Sequence, residues 1–322
     1  LYDTVPTGSD TSKSLHPLDH ELSMAPIKRI EILRGPGSVL WGPDAFAGIV
    51  NLVPMTGEDL EGAGTGLIGG RASGGRAAYV NIGHDEGPWD AFLSITARQG
   101  KESDTDYNVI RFWQDEATAF PPDERYGDNE PGESHYLEAS GNFSYENWLT
   151  VSSMIRDYTK EFVLSQPDGN LSWQEERSNP FGFVKMEATK DLDCSSALRF
   201  TGSYSALAPE NKIIDNTLEQ REQTAYGEMI YDRSFLSGRG LFTGGVSYRN
   251  KRVKDAPIWD GYLPDYLGQD NFNLVPGLAE NDYNDALWSF FGQYNQKFGN
   301  LDLWAGLRND AHDEYDDCLS YN

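Results

Sequence analysis

Cysteine is almost missing from this sequence. Cys194 and Cys318 are the only two in 322 residues, too few for a disulfide framework or a structural zinc site. No stretch approaches the roughly 18 uninterrupted apolar residues that a membrane helix needs. Basic residues are scarce: 26 Lys and Arg stand against 51 Asp and Glu, a net charge of −25. A phosphate backbone would be repelled rather than neutralised, which excludes nucleic acid as a partner. There is no nucleophile elbow, zincin motif or Walker loop, so the sequence does not read as an enzyme. Leu1 is not an initiator and no signal peptide opens the chain. The expectation is an internal piece of a longer protein.

What the sequence has is alternation. Its mean hydropathy of −0.58 suggests a soluble protein, but membrane β-barrels alternate apolar and polar residues and average out as hydrophilic. In Trp89–Arg98, one face carries Trp89, Ala91, Leu93, Ile95 and Ala97, and the other Asp90, Phe92, Ser94, Thr96 and Arg98. Ala286–Phe298, Leu301–Arg308 and Leu198–Ala206 repeat the pattern, which is that of strands with one apolar face. About eleven such segments are predicted, near 62–72, 76–85, 89–100, 135–146, 148–160, 178–190, 196–207, 221–233, 240–253, 286–298 and 301–312. Strands of about 9–11 residues cross a tilted bilayer path.

From the second strand on, the connections alternate short and long. "HDEGP", "SYENW", "KDLDCSS", "RSFLSGRG" and "FGNL" alternate with stretches near 101–134, 161–177, 208–220 and 254–285. One end of the sheet then has tight turns and the other large loops, as in outer-membrane barrels with short periplasmic turns. Trp89, Tyr145, Trp148, Phe235, Phe298 and Trp304 all fall near the tight-turn end, where an interfacial aromatic girdle would sit. The polar face includes Arg98, Glu138, Asn142, Arg199 and Arg308. A wet lumen tolerates these residues, whereas a closed sandwich core would have to pair each one.

Residues 1–57 are organised differently. "IKRIEILRGPGSVLWGPDAFAGIVNLVP" (27–54) closely resembles the end of the plug domain in TonB-dependent outer-membrane receptors. The matching positions include Ile30, Glu31, Leu33, Arg34, Gly35, Pro36, Ser38, Trp41, Gly42, Ala45, Gly48, Ile49, Val50, Asn51 and Leu52. A weaker match, "LWAGLRNDAHDEY", is similar to a mid-barrel strand of the family. The resemblance implies an all-β chain, an antiparallel transmembrane β-barrel preceded by the C-terminal part of a plug: residues 1–57 plug, residues 58–322 the N-terminal half of the barrel. Twenty-two strands are typical of these transporters, so about half are expected here. It also implies a Gram-negative outer-membrane location, amid lipid and lipopolysaccharide. The implied partner is the periplasmic TonB complex, which draws on the inner-membrane proton gradient. The implied function is energised uptake of a scarce large nutrient. A ferric siderophore is the leading cargo, with cobalamin, haem and oligosaccharide as alternatives. From other classes, a passive porin would lack the plug segment, and a soluble secreted glycan-binding β-protein would not require detergent for extraction.

Glu31, Arg34, Gly35, Pro36, Trp41, Gly42, Gly48 and Asn51 are the expected plug motif and plug–barrel contacts. Glu31 and Arg34 lie three apart, on opposite faces of an ideal strand. The resemblance implies that both look toward barrel-wall charges; the plain alternative is two solvated surface charges. No cofactor is expected beyond a structural Ca²⁺ candidate, Asp104 and Asp106 with Asn108, in the acidic loop 101–134. Otherwise that loop is a solvated face. "GAGTGLIGG" (62–70) lacks the following helix of a dinucleotide loop and reads as a glycine-rich first barrel strand. "HPLDH" offers His16, Asp19 and His20, but Pro17 disfavours a metal-binding helix there.

Overall fold

The computed structural model describes residues 1–7, 22–34, 48–60, 65–70, 75–101, 133–146, 148–165, 172–213, 216–260, 277–299, 301–314 and 316–321. Two sheets account for the strands. The first is a hairpin of β1 (Ile27–Arg34) and β2 (Gly48–Pro54), antiparallel, with Glu31 opposite Asn51 and Arg34 opposite Gly48.

The second sheet is a long antiparallel meander. Its path runs β3 (Thr65–Gly70), β4 (Arg76–Glu86), β5 (Trp89–Lys101), β6 (Glu133–Tyr145) and β7 (Leu149–Ser165). It continues through β9 (Phe181–Asp193), β10 (Ser196–Leu207), β13 (Arg221–Phe235), β14 (Gly240–Asp260), β15 (Gly277–Phe298), β16 (Leu301–His312) and β17 (Cys318–Tyr321). All eleven expected strands are present, with the short β17 as an unexpected twelfth, and each pairs with its neighbour along the path. The connections 86–89, 145–149, 193–196, 235–240 and 298–301 therefore share one end of the sheet. The long connections share the other.

The differences lie at that other end. β8 (Ser172–Ser178), β11 (Glu210–Ile213) and β12 (Asn216–Glu219) form a side branch off β7, inside stretches expected to be loops. β14 and β15 also run well past the expected 253 and 286, with a register shift between Val253 and Ala256. The side-branch strands are short, and SWQEERS, ENKI and NTLE show no apolar alternation, so periodicity does not reveal them. Among the described residues β3 and β17 each have one neighbouring strand, leaving two sheet edges.

The burial of the long sheet is inside-out relative to a soluble protein. Along β5 the apolar residues Trp89, Leu93 and Ile95 are exposed, while Phe92, Ser94 and Thr96 on the other face are buried. In β6 Leu137 is 56% exposed and its neighbour Glu138 1%. In β7 Ile155 is 68% exposed and Arg156 3%. Leu303 and Leu307 of β16 lie outside, and Arg308 and Asp310 inside. Exposed apolar surface of this extent marks a face made for another phase. Strands with apolar-out and polar-in alternation are built for lipid.

The expected girdle residues lie at the tight-turn end. Trp89, Trp148, Phe235, Phe298 and Trp304 are exposed. Trp89 packs on Tyr145 at 4.3 Å between ring centroids, and Tyr145 meets Trp148 edge-on at 6.2 Å.

Candidate functional site

The N-terminal segment lies against the polar inner face of β4–β10, and this junction is the site. Its apolar part is small: Tyr2, Val5, Ile27 and Leu52 pack with Met154, Phe181, Phe183 and Leu207 of the sheet. Tyr2 and Phe183 are 5.9 Å apart.

The rest is polar. Asn81 of β4 donates to the Ala25 carbonyl at 2.8 Å, and Asn142 of β6 donates to the Met55 carbonyl. The hydroxyls of Ser23 and Thr96 are 3.0 Å apart. The Ser23 backbone N–H reaches Glu138, which also accepts the Tyr136 hydroxyl and lies near the charges of Arg98 and Arg156. Asp90 of β5 accepts the backbone N–H groups of Gly57 and Glu58 at 3.1 and 2.8 Å.

Glycine lets this linker seat closely. A Cβ on Gly57 would stand 2.2 Å from the His84 carbonyl oxygen, so only glycine fits against β4 there. Beyond the linker, Asp59 accepts the Thr56 backbone N–H and hydroxyl and pairs with Lys28 at 2.6 Å. Partial burial alone would raise the Asp59 carboxyl, but Lys28 and the Thr56 bonds outweigh it and hold the group below its ordinary value.

One buried cation crosses the junction. Lys185 of β9 is 2% exposed, and its Nζ lies 2.9 Å from Asp3 and 2.9 Å from Glu187. Asp3 itself is held by its N–H donating to the Leu52 carbonyl, and Thr4 N–H donates to Asn51 Oδ1 at 2.9 Å. Asn51 thus fastens the 1–7 stretch to the hairpin.

Sequence reasoning singled out Asn51 but not Lys185 or Asp3. A lone Lys on a barrel strand carries no local signal of its partner 182 positions away.

Glu31 sits differently from the expectation. Among the described residues its carboxylate is bound within the hairpin, by Arg29 at 2.7–2.8 Å and by Asn51 Nδ2 at 3.2 Å, rather than by a barrel-wall charge. Arg29 is two residues away on the same strand face, and Asn51 is the direct cross-strand neighbour. The Arg29 bond, then the Asn51 bond, hold the Glu31 carboxyl below its usual range. Gly48 opens β2 at φ +142°, a conformation few other residues adopt. Gly35, Pro36, Trp41 and Gly42 lie outside the described residues, as do His16, Asp19, His20, Asp104 and Asp106.

Each neutral hydrogen bond contributes only about 0.5–1.5 kcal/mol net, and the shared apolar cluster is small.

No family model matches the chain. A curated relative, the vitamin B12 transporter BtuB of Vibrio vulnificus, is 22% identical over 310 residues; this covers 92% of the chain and 44% of the relative. The siderophore receptor PirA from Acinetobacter baumannii superposes with a TM-score of 0.62 at 15% identity over 92% of the chain and 45% of its own. The chain shares the fold of the TonB-dependent receptors. The ferric enterobactin receptor PfeA of Pseudomonas aeruginosa (TM-score 0.62, 13% identity) and the FrpB iron transporter of Neisseria meningitidis (0.58, 13%) also share it, each over 92% of the chain and 46% and 49% of theirs. The chain spans about half the length of the receptors it matches.

Proposed function

We propose that this chain is part of an outer-membrane receptor that takes up a scarce, large nutrient by energised transport, with a ferric siderophore as cargo. Residues 1–57 act as the end of the plug and residues 58–322 as barrel wall. Cargo is captured at the long-loop end. The periplasmic TonB complex then pulls on the plug, and the polar junction described above yields. The observation that supports this reading is an N-terminal segment docked, through Ala25, Met55 and Asp3 on either side of its hairpin, by hydrogen bonds and one buried ion pair onto the polar face of an inside-out sheet. A passive porin has no use for such a segment. In this reading the acidic loop 101–134 faces cargo, with Asp104 and Asp106 as its calcium candidates.

The name of the curated relative favours cobalamin as a second cargo. The test is uptake of radiolabelled iron, presented on a panel of siderophores, by cells expressing the full receptor, with and without TonB. TonB-dependent accumulation of one ferric siderophore is the expected result. TonB-dependent cobalamin uptake alone would select the second reading. Solute entry independent of TonB would refute active transport.

A further inference from the structure

His312 closes β16 at the long-loop end of the sheet, opposite Leu287 of β15. It is partly buried, and both ring nitrogens are in use. Nδ1 accepts the backbone N–H of Glu314 at 3.0 Å. A nitrogen that accepts carries no proton, so the ring is neutral and its one proton sits on Nε2. Nε2 lies against Asp285 Oδ1, an oxygen that takes an N–H. Nδ1 has a second neighbour, Asp313 Oδ1, at 3.5 Å.

Asp313 is itself anchored to β15. Its N–H donates to the Ala286 carbonyl, and its Oδ1 accepts the Ala286 N–H at 3.1 Å. The bond from Glu314 to the imidazole is then a hold on the connection to β17, which rejoins the sheet with Cys318 opposite Asp310. Glu314, Asp316 and Asp317 fall in that connection. The other titratable groups come from four directions. β15 supplies Asp285 and, two residues further out on the same face, the Tyr283 phenol. β14 supplies Arg249, 3.9 Å from the second Asp285 oxygen, and Lys251, directly opposite Asp285. On β16, Asp310 shares the face but is bound to Arg308 and Ser289. β17 supplies the Cys318 thiol.

We propose that His312 is a proton-operated latch on the β16–β17 connection. Histidine is the side chain that changes charge between about pH 5 and 8. The proton it gains goes to Nδ1, the ring position with a lone pair to take it. Nδ1 then donates and no longer accepts, so the Glu314 bond is lost. The nearest acceptor for the new N–H is Asp313 Oδ1. The imidazolium lies between two carboxylates, Asp285 and Asp313, which form charge-assisted bonds with it. Arg249 and Lys251 oppose it from the β14 side. Acid therefore tightens the ends of β15 and β16 and frees the chain from Glu314 on. Repulsion among Glu314, Asp316 and Asp317 then favours an open connection. As pH rises again the Glu314 bond re-forms. That the pH sensed is the one outside the cell rests on the outer-membrane reading; the latch itself does not.

The experiment is quench-flow hydrogen exchange on the full receptor in detergent, with each amide's rate set against its unprotected rate at the same pH. Protection of the Glu314 amide should fall about two- to tenfold from pH 8 to pH 5.5, as loss of one hydrogen bond predicts. The Ala286 and Asp313 amides should stay within twofold. His312→Gln keeps a neutral acceptor and donor at every pH, so it should preserve protection at pH 8 and abolish the step. Asp313→Asn removes the carboxylate that receives the new N–H and should move the step to lower pH. No step in the unsubstituted receptor, or an equal step in His312→Gln, would overturn the latch. A loss shared by Ala286 and Asp313 would also overturn it, because the strand end rather than the connection would be opening. None of these results depends on what the receptor imports or on TonB.

Discussion

The Lys185–Asp3 pair gives the sharpest test of how the plug is held. Across 2.9 Å, an effective dielectric of 20 gives an attraction of about 6 kcal/mol. Keeping the ammonium 2% exposed offsets several kcal/mol of that. Glu187, 43% exposed, can retain part of the interaction when Asp3 is neutralised. Asp3→Asn should therefore cost about 2–3 kcal/mol of docking. The opening it reports is the 1–7 stretch leaving β2, where Asp3 N–H donates to the Leu52 carbonyl. Hydrogen exchange on the full receptor should show the Asp3 and Leu52 amides exchanging about 30- to 150-fold faster at pH 7. Amides inside the hairpin, such as that of Val50, serve as controls and should change little. Adding Lys185→Met removes the uncompensated charge, so the double variant should recover much of the loss. The reasoning fails if Asp3→Asn leaves exchange within twofold, or if the two substitutions add without recovery.

The remaining expectations concern the junction, the lipid face, pH and topology. Asn81→Ala removes the 2.8 Å bond to the Ala25 carbonyl and should cost about 1–2 kcal/mol of plug docking, read as faster exchange around Ile27 with the barrel melting point unchanged. Ile155→Arg places a charge on a 68% exposed, lipid-facing position and should lower stability in vesicles by roughly 2–4 kcal/mol; a neutral effect on unfolding from lipid would contradict the assignment of faces. Glu31 has a depressed folded-state carboxyl, so its stabilisation is fully present above the unfolded value and is lost as pH falls through the folded one. Hairpin protection should hold from neutral pH down to the ordinary carboxylate range and weaken only below it, a step that Glu31→Gln should remove. Cys194 and Cys318 are both free and exposed, at opposite ends of the sheet. A membrane-impermeant maleimide on intact cells should label Cys318 at once and Cys194 only after permeabilisation.

Local residue order alone determined the barrel strands, because a strand that meets lipid on one face and water on the other must alternate at period two. The same order determined which ends the tight turns share, since a meander of antiparallel strands leaves no choice. It also marked 27–54 as organised apart from the long sheet, where the structure has β1 and β2. Tertiary structure alone decided which charges meet. Lys185 finds Asp3, and among the described residues Glu31 meets Arg29 and Asn51, because such pairings depend on register and docking. The side branch of β8, β11 and β12 was hidden for another reason: strands this short carry too few residues to show a period. Asp285 and His312 are 27 residues apart and meet only because the β15–β16 register sets Leu287 opposite His312.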